Sequence, residues 1–215
     1  MKLLSLLAVV SLSLCLSACV TGTRTLDRLE VPSYDAGKSA SGEVYIRSIK
    51  DKRSFEQKPK SPSTPSVKGK LADKTPEQLA QMIGRQRNGY GKAMGDVALP
   101  EGQTVMTKMR QILTEGLSSR GYTLTNNPEA AIVVDVDIEK FWAWFSPGFV
   151  SVSFETSMVC AIDIVAVDQT HDLVVDGYGI NKGQMASNAN WELVMRRATE
   201  DFLQKLDKQL DEKQL

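Results

Sequence analysis

The chain has little to catalyse with. Among its 215 residues there is one histidine, His171, and three cysteines, Cys15, Cys19 and Cys160. A Ser–His or Cys–His device would have to use His171, which the pattern puts in a turn, "DQTHD" at 168–172, between two expected strands. Three cysteines, two of them in the first nineteen residues, exclude a disulfide framework. The 26 basic and 26 acidic side chains balance, so there is no bulk electrostatic case for nucleic acid. No later segment approaches the run of about 20 apolar residues that crosses a bilayer. A nucleotide loop fails too: Gly84 and Gly89 have the right spacing, but Tyr90 and Gly91 stand where Lys and Ser/Thr are needed. Asp135, Asp137 and Glu139 form an acidic row, and without a ligand-bearing loop they read as the wet face of a strand rather than a Ca²⁺ site. No cofactor and no metal are expected.

What is there begins at the N-terminus. Met1-Lys2 is a short basic start, and Leu3 to Leu16 is an apolar and small-residue run of signal-peptide length. It ends in Leu16-Ser17-Ala18-Cys19, followed by Val20. Leu, small, small, Cys resembles the bacterial lipobox. The resemblance implies a leader over 1–18, cleavage before Cys19, and acylation of Cys19 as the first mature residue. One acyl chain binds a membrane only marginally, whereas two or three anchor stably. Cys15 leaves with the leader. The resemblance further implies that Val20, standing where Asp would retain the protein at the inner membrane, sends it to the outer membrane with its domain facing the periplasm. The plainer alternative is an ordinary signal peptide ending after Ala18.

Residues 20–41 are polar, with Gly, Pro and Ser and no sustained period, and are expected to be a flexible tether reaching roughly 70 Å when extended. One domain is expected over 42–210, with a polar tail at 211–215. Its first strand runs from Glu43 to Ile49, with Val44, Ile46 and Ser48 on one face. A Lys/Pro-rich loop follows at about 50–74. Between Arg47 and Lys70 it carries eight basic residues against Asp51 and Glu56, which suits contact with an anionic lipid or glycan surface, or simply solvent.

Thr75-Pro76-Glu77-Gln78 starts a short helix, and Val105, Met109, Ile112, Leu113 and Leu117 mark a stronger one over about 102–120. Alternation then marks three strands, at 131–145, from 150 to about 164, and at 173–181, the second long enough to expect a bulge. A last helix spans about 190–210, capped by Ser187 or Asn188. The order β-α-β-β-β-α gives an α+β, two-layer domain: a mostly antiparallel sheet of about four strands with two main helices on one face.

The stretch that asks for an explanation is "EKFWAWFSPGF". Phe141, Trp142, Trp144, Phe145 and Phe149 place aromatics on both faces of one strand, so one set falls outside the sheet's core. On a rim they suit a protein partner or an acyl chain; otherwise they cover the end of the core beneath a helix or the Pro-rich loop.

From Gly42 to Leu210 the chain resembles the YajG-type family of small bacterial envelope lipoproteins. The resemblance is carried, behind the lipobox, by Asp51-Lys52-Arg53-Ser54, Asn88-Gly89-Tyr90-Gly91 with Asp96-Val97, Leu117-Ser118-Ser119-Arg120-Gly121-Tyr122, the Ala130-Ala131-Ile132-Val133-Val134 strand and the Asn190-Trp191 helix. Residues 57–70 read as an insertion. The family implies no catalytic residues. The expectation is a non-enzymatic, outer-membrane-anchored lipoprotein that binds an envelope protein, with the 141–149 aromatics as contact. A carrier of a small apolar or lipid ligand is the alternative, and a hydrolase would need a polar constellation around His171.

Overall fold

One strand of 16 residues, β6 (Ile132–Pro147), is the spine of the domain. The computed structural model describes residues 22–88, 90–147, 152–166, 169–183 and 187–215. The strands before it are β1 (Arg24–Thr25), β2 (Glu43–Asp51), β3 (Met82–Arg87), β4 (Ala93–Ala98) and β5 (Thr123–Leu124); after it come β7 (Val152–Ala166) and β8 (Gln169–Gly183). The helices are α1 (Pro76–Gln81), α2 (Val105–Ser119) and α3 (Asn188–Glu212), and a 3-10 turn spans Leu71–Asp73.

These strands form one eight-stranded mixed sheet, which corrects the expectation of about four mostly antiparallel strands. Along one edge of β6, β7 pairs antiparallel over the whole length, and β8 follows on β7. Along the other edge two parallel strands share the spine. β2 pairs with Ile132 to Ile138, and β3 with Ala143 and Trp144. β4 and then β1 extend the sheet beyond β3, and β5 lies outside β2. The α+β class stands. Two of the missed strands share a cause: β3 and β4 bury Arg85, Gln86 and Asp96, so they carry no apolar alternation.

Two bulges reset the side-chain phase. In β6 the extra residue is Glu139, between Ile138, opposite Cys160, and Lys140, opposite Val159. Before it Val134, Val136 and Ile138 face the helices; after it Phe141, Ala143 and Phe145 do. β7, where the bulge was expected, pairs with β8 without a register shift. In β2 the break falls at Arg47, which turns Ser48 to the far face beside Asp135. "DQTHD" is not wholly a turn either: Gln169 to Asp172 belong to β8, with His171 opposite Ile164.

α2 and α3 cover one face. Thr104 caps α2 with a reciprocal bond to Thr107, and Ser187 accepts from Asn190 at the start of α3. Trp191, Val194, Ala198 and Phe202 of α3 lie over β7 and β8, where Gly177 and Gly179 admit the helix backbone. A Cβ on either glycine would stand 2.3 Å from a carbonyl oxygen of α3.

The segment expected to be a free tether is instead a strap over the domain. β1 pairs parallel with β4, Leu26 and Leu29 are buried in the core, and the Lys108 ammonium donates to the Leu29 carbonyl at 2.8 Å. Further on, the Tyr34 N–H donates to Glu115, and Ala40 N–H to the Arg120 carbonyl. Composition hid this, because two leucines three apart among polar residues show no period.

Candidate functional site

The structure takes the aromatic run apart. Phe141 and Phe145 point into the main core, where Phe145 meets Phe154 edge-to-face at 5.5 Å and Phe154 meets Trp191 at 5.1 Å. Trp142 and Trp144 point the other way, as the Glu139 bulge requires, into a second small core with Val67, Met82 and Ala98, edged by Phe55, Leu71 and Leu79. Trp142 is wholly buried: Phe55 packs against it edge-to-face at 5.9 Å, and its indole N–H donates to the Pro62 carbonyl at 3.2 Å. Trp144 keeps 7% of its surface, with Lys140 over the ring. These four residues therefore make no exposed contact ridge. Phe149, like Cys19, lies outside the described residues.

The Lys/Pro-rich segment is what covers Trp142 and Trp144. It lies across the back of the sheet, with Ser66 and Val67 buried, rather than standing out in solvent. Arg53 ties it down. Where β2 ends and β3 has not yet begun, the edge of β6 is left open, and Arg53 fills the break. Its guanidinium donates to the carbonyls of Phe141 (3.1 Å), Met82 (2.6 Å) and Leu79 (2.8 Å), while Asp51 accepts two further bonds at 2.8 Å each. The Arg53 side chain is fully buried. A planar fork of five donors can reach three backbone segments, two strands and a helix, and one carboxylate at once; an ammonium cannot. A second buried pair, Arg85 and Asp96 at 3.0 Å, links β3 to β4, and Asp96 also accepts from the Lys68 N–H of the covering segment. Burial lowers the Arg85 pKa, with Asp96 opposing the shift.

The groups considered for chemistry are dispersed. His171 sits on β8, and Cys160 is buried, where desolvation and the Glu139 charge push its thiol well above the usual range and leave it unreactive. Asp135 is engaged by Arg47 and Ser48, and the Arg47 hydrogen bond holds its carboxyl below the ordinary value. Among the described residues no three His, Cys, Asp or Glu side chains converge as a metal site.

What stays exposed lies elsewhere. Large hydrophobic side chains open to solvent among the described residues are Tyr90, Val165, Val174, Tyr178 and Ile180. The last four share the outward face of β7 and β8, opposite the helices. Val174 is 63% exposed and stands among Asp172, Asp176, Asp137 and Asp163. Tyr178 donates its hydroxyl to Glu155, and desolvation together with that bond pushes its pKa up to about 12. Sequence reasoning missed this face, although the signal was present. With Leu173, Val175, Gly177 and Gly179 inward, the apolar residues Val174, Tyr178 and Ile180 occupy the outward phase of the same strand.

Comparison with known proteins adds the family. Residues 80–213, well over half of the chain, match the family model described as "uncharacterized lipoprotein" (Lipoprotein_16). No curated protein matched. Two solved structures are similar in outline: protein XCC0632 from Xanthomonas campestris, at 10% identity over 89% of this chain and 98% of that one, and a crystal structure titled only as an uncharacterized protein, at 9% over 90% and 99%. Both have a TM-score of 0.45. The matched span takes in α2 and α3, the spine β6 and both strands of the exposed hairpin, and on it the chain belongs to the YajG family of lipoproteins.

Proposed function

We propose that this protein is a non-catalytic lipoprotein of the bacterial envelope that is fixed to the outer membrane by acylated Cys19 and holds another envelope protein against the outward face of β7 and β8. The observation that carries the reading is the alignment of Val165, Val174, Tyr178 and Ile180 on that face, while the strands' other face is buried under α3. Asp137, Asp163 and Asp172 near Val174, with Asp176 already bridged to Lys205, favour a partner surface that mixes apolar side chains with Lys or Arg. The carrier reading has less support. The space between sheet and helices is packed with side chains, and the two grooves beside the strap, of about 510 and 770 Å³, are open and lined largely by charged and polar residues.

The test is a photocrosslinking residue at position 174 in cells, with one at buried Trp144 as control. A discrete protein adduct from 174 alone is expected. A lipid adduct, or none, overturns the docking face. The anchor is tested separately: Cys19→Ala should lose labelled fatty acid and leave the membrane fraction, and retention of both would sink the lipoprotein reading.

A further inference from the structure

The pairing pattern puts several chain ends at one pole. β1 is parallel to β4, β4 antiparallel to β3, β3 parallel to β6, β6 antiparallel to β7, and β7 antiparallel to β8. The end of β3, the start of β4, the end of β6, the start of β7 and the end of β8 therefore all lie at the same end of the sheet, and the chain before Arg24, which stands opposite Val97, runs back toward that end. Tyr90, 96% exposed, stands in the connection from β3 to β4 at this end, with Lys92 beside it, half-buried Arg87 donating to the Gly91 carbonyl at 2.9 Å, and Lys182 at the end of β8. None of the acidic residues around Val174 is here.

The strap leads to this pole. Gly22 is fixed to the domain, its carbonyl accepting from the amide of Gln86 at 2.8 Å, and Gln86 is itself 2% exposed. Two residues, Val20 and Thr21, separate Gly22 from Cys19, a path of three Cα steps. At about 3.3–3.6 Å per residue, covalent geometry keeps Cys19 within about 11 Å of Gly22. That is a fraction of the roughly 70 Å reach of a free 22-residue tether. It is also less than the headgroup region and one hairpin turn together require for clearance, since the polar regions of a bilayer add roughly 5–8 Å on each side.

We infer that the protein rides on the membrane rather than above it, with Tyr90, Arg87 and Lys92 seated among the lipid headgroups of the leaflet that holds the Cys19 acyl chains. The inference rests on the proposed acylation of Cys19. An amphipathic Tyr suits the interfacial layer, and the cations beside it complement anionic headgroups. Position 174 lies nine residues along β8 from Gly183, about 30 Å from this pole, so Val174 stands clear of the headgroups on a sheet face that runs alongside the membrane normal.

The test uses the full acylated protein in vesicles of phosphatidylethanolamine with about a quarter phosphatidylglycerol, carrying lipids spin-labelled at the headgroup. With Cys19 acylated and Cys160 buried, Tyr90→Cys and Val174→Cys each offer one thiol for a fluorophore. Quenching several-fold stronger at 90 than at 174 is expected, and about a dozen Gly/Ser residues inserted between Val20 and Thr21 should weaken it. Acylated protein that floats with the vesicles yet shows no quenching at 90, or equal quenching at both sites, overturns the inference alone. Protein without acyl chains that fails to float overturns the anchor, and this pole with it.

Discussion

The carboxylate of Asp201 on α3 accepts a hydrogen bond from the backbone N–H of Tyr178 at 2.8 Å, on the edge of β8 that no strand pairs among the described residues. It is one rung of four. Arg197 donates to the Ile180 carbonyl, Lys205 to the Asp176 carboxylate, and Gln209 to the Val174 carbonyl. Helix positions four apart advance about 6.0 Å, and strand positions two apart about 6.6 Å, so one helix face can follow one strand edge for several steps. A long unpaired edge is a template for association, and here side chains of α3 occupy it. Replacing both Asp201 and Gln209 with Ala should therefore produce concentration-dependent dimers or larger species in sedimentation, with helix content retained. A variant that stays monomeric across the concentration range would show that the ladder does not guard the edge.

Gly177 and Gly179 make that ladder possible. Gly177→Ala would place a Cβ 2.3 Å from the Ala198 carbonyl oxygen and 2.7 Å from the Phe202 Cβ, both on the packed side of α3. The helix must back away, which costs about 1–3 kcal/mol in chemical unfolding by the usual penalty for overpacking. The same variant should associate like the Asp201/Gln209 pair, because withdrawing α3 uncovers the edge. An unchanged midpoint would mean that the helix moves without resistance.

Arg53→Ala leaves three backbone carbonyls and Asp51 without their partner in a buried place. A loss of about 3–5 kcal/mol is expected, the range for breaking one side of a buried ion pair. Arg53→Lys should recover little of it, because a single ammonium cannot span the break between β2 and β3. Near-complete rescue by Lys would show that charge, rather than the fork, is what the site uses.

The legible parts of this fold were those with unbroken periods. Val105, Met109, Ile112, Leu113 and Leu117 announced α2, and Trp191 to Leu210 announced α3. β6 was readable up to Ile138, where the alternation ran clean, and opaque after Glu139, because a bulge changes phase without leaving a mark in composition. β3 was unreadable for a different reason. Its buried Arg85 pairs with Asp96 and its buried Gln86 bonds Gly22 and Arg24, partners distant in sequence, so no local pattern could predict their burial. The site followed the same rule: the aromatics were conspicuous but internal, while the exposed face was made of ordinary valine, isoleucine and tyrosine in the outward phase of β8.

Asp135 carries a pH signature. Its carboxyl is held below the ordinary 3.8, first by the hydrogen bond from Arg47, with Ser48 adding to it against some desolvation. A depressed folded-state value means stability present above the unfolded pKa and lost as pH falls from about 4 through the folded value. In Arg47→Ala the Asp135 carboxyl should titrate at higher pH in carbon-detected NMR, and the acid limb of the unfolding curve should become shallower. An unmoved Asp135 titration would leave Ser48 as the main influence. Because the pair is partly exposed, salt should weaken the effect.

The covering segment offers the sharpest structural test. Trp142 holds residues 52–74 to the sheet by burial of its ring and by one hydrogen bond to the Pro62 carbonyl. Trp142→Phe keeps most of the apolar contact and removes the bond, at about 0.5–1.5 kcal/mol; Trp142→Ala removes both, at about 3–5 kcal/mol. If the segment is held as a unit, limited trypsin digestion at Lys60, Lys68 or Lys70 should accelerate from wild type to Phe to Ala, ahead of cleavage in α2 or α3. Cleavage there as fast in the wild type as in Trp142→Ala would mean that the segment opens freely and that Trp142 is sheltered by β3 and α1 instead. The order matters for the anchor as well, because Lys68 binds Asp96 and Asp96 holds Arg85, one residue from the Gln86 that fixes Gly22. Loosening the back of the sheet should therefore lengthen the effective tether and weaken quenching at position 90 in the vesicle measurement.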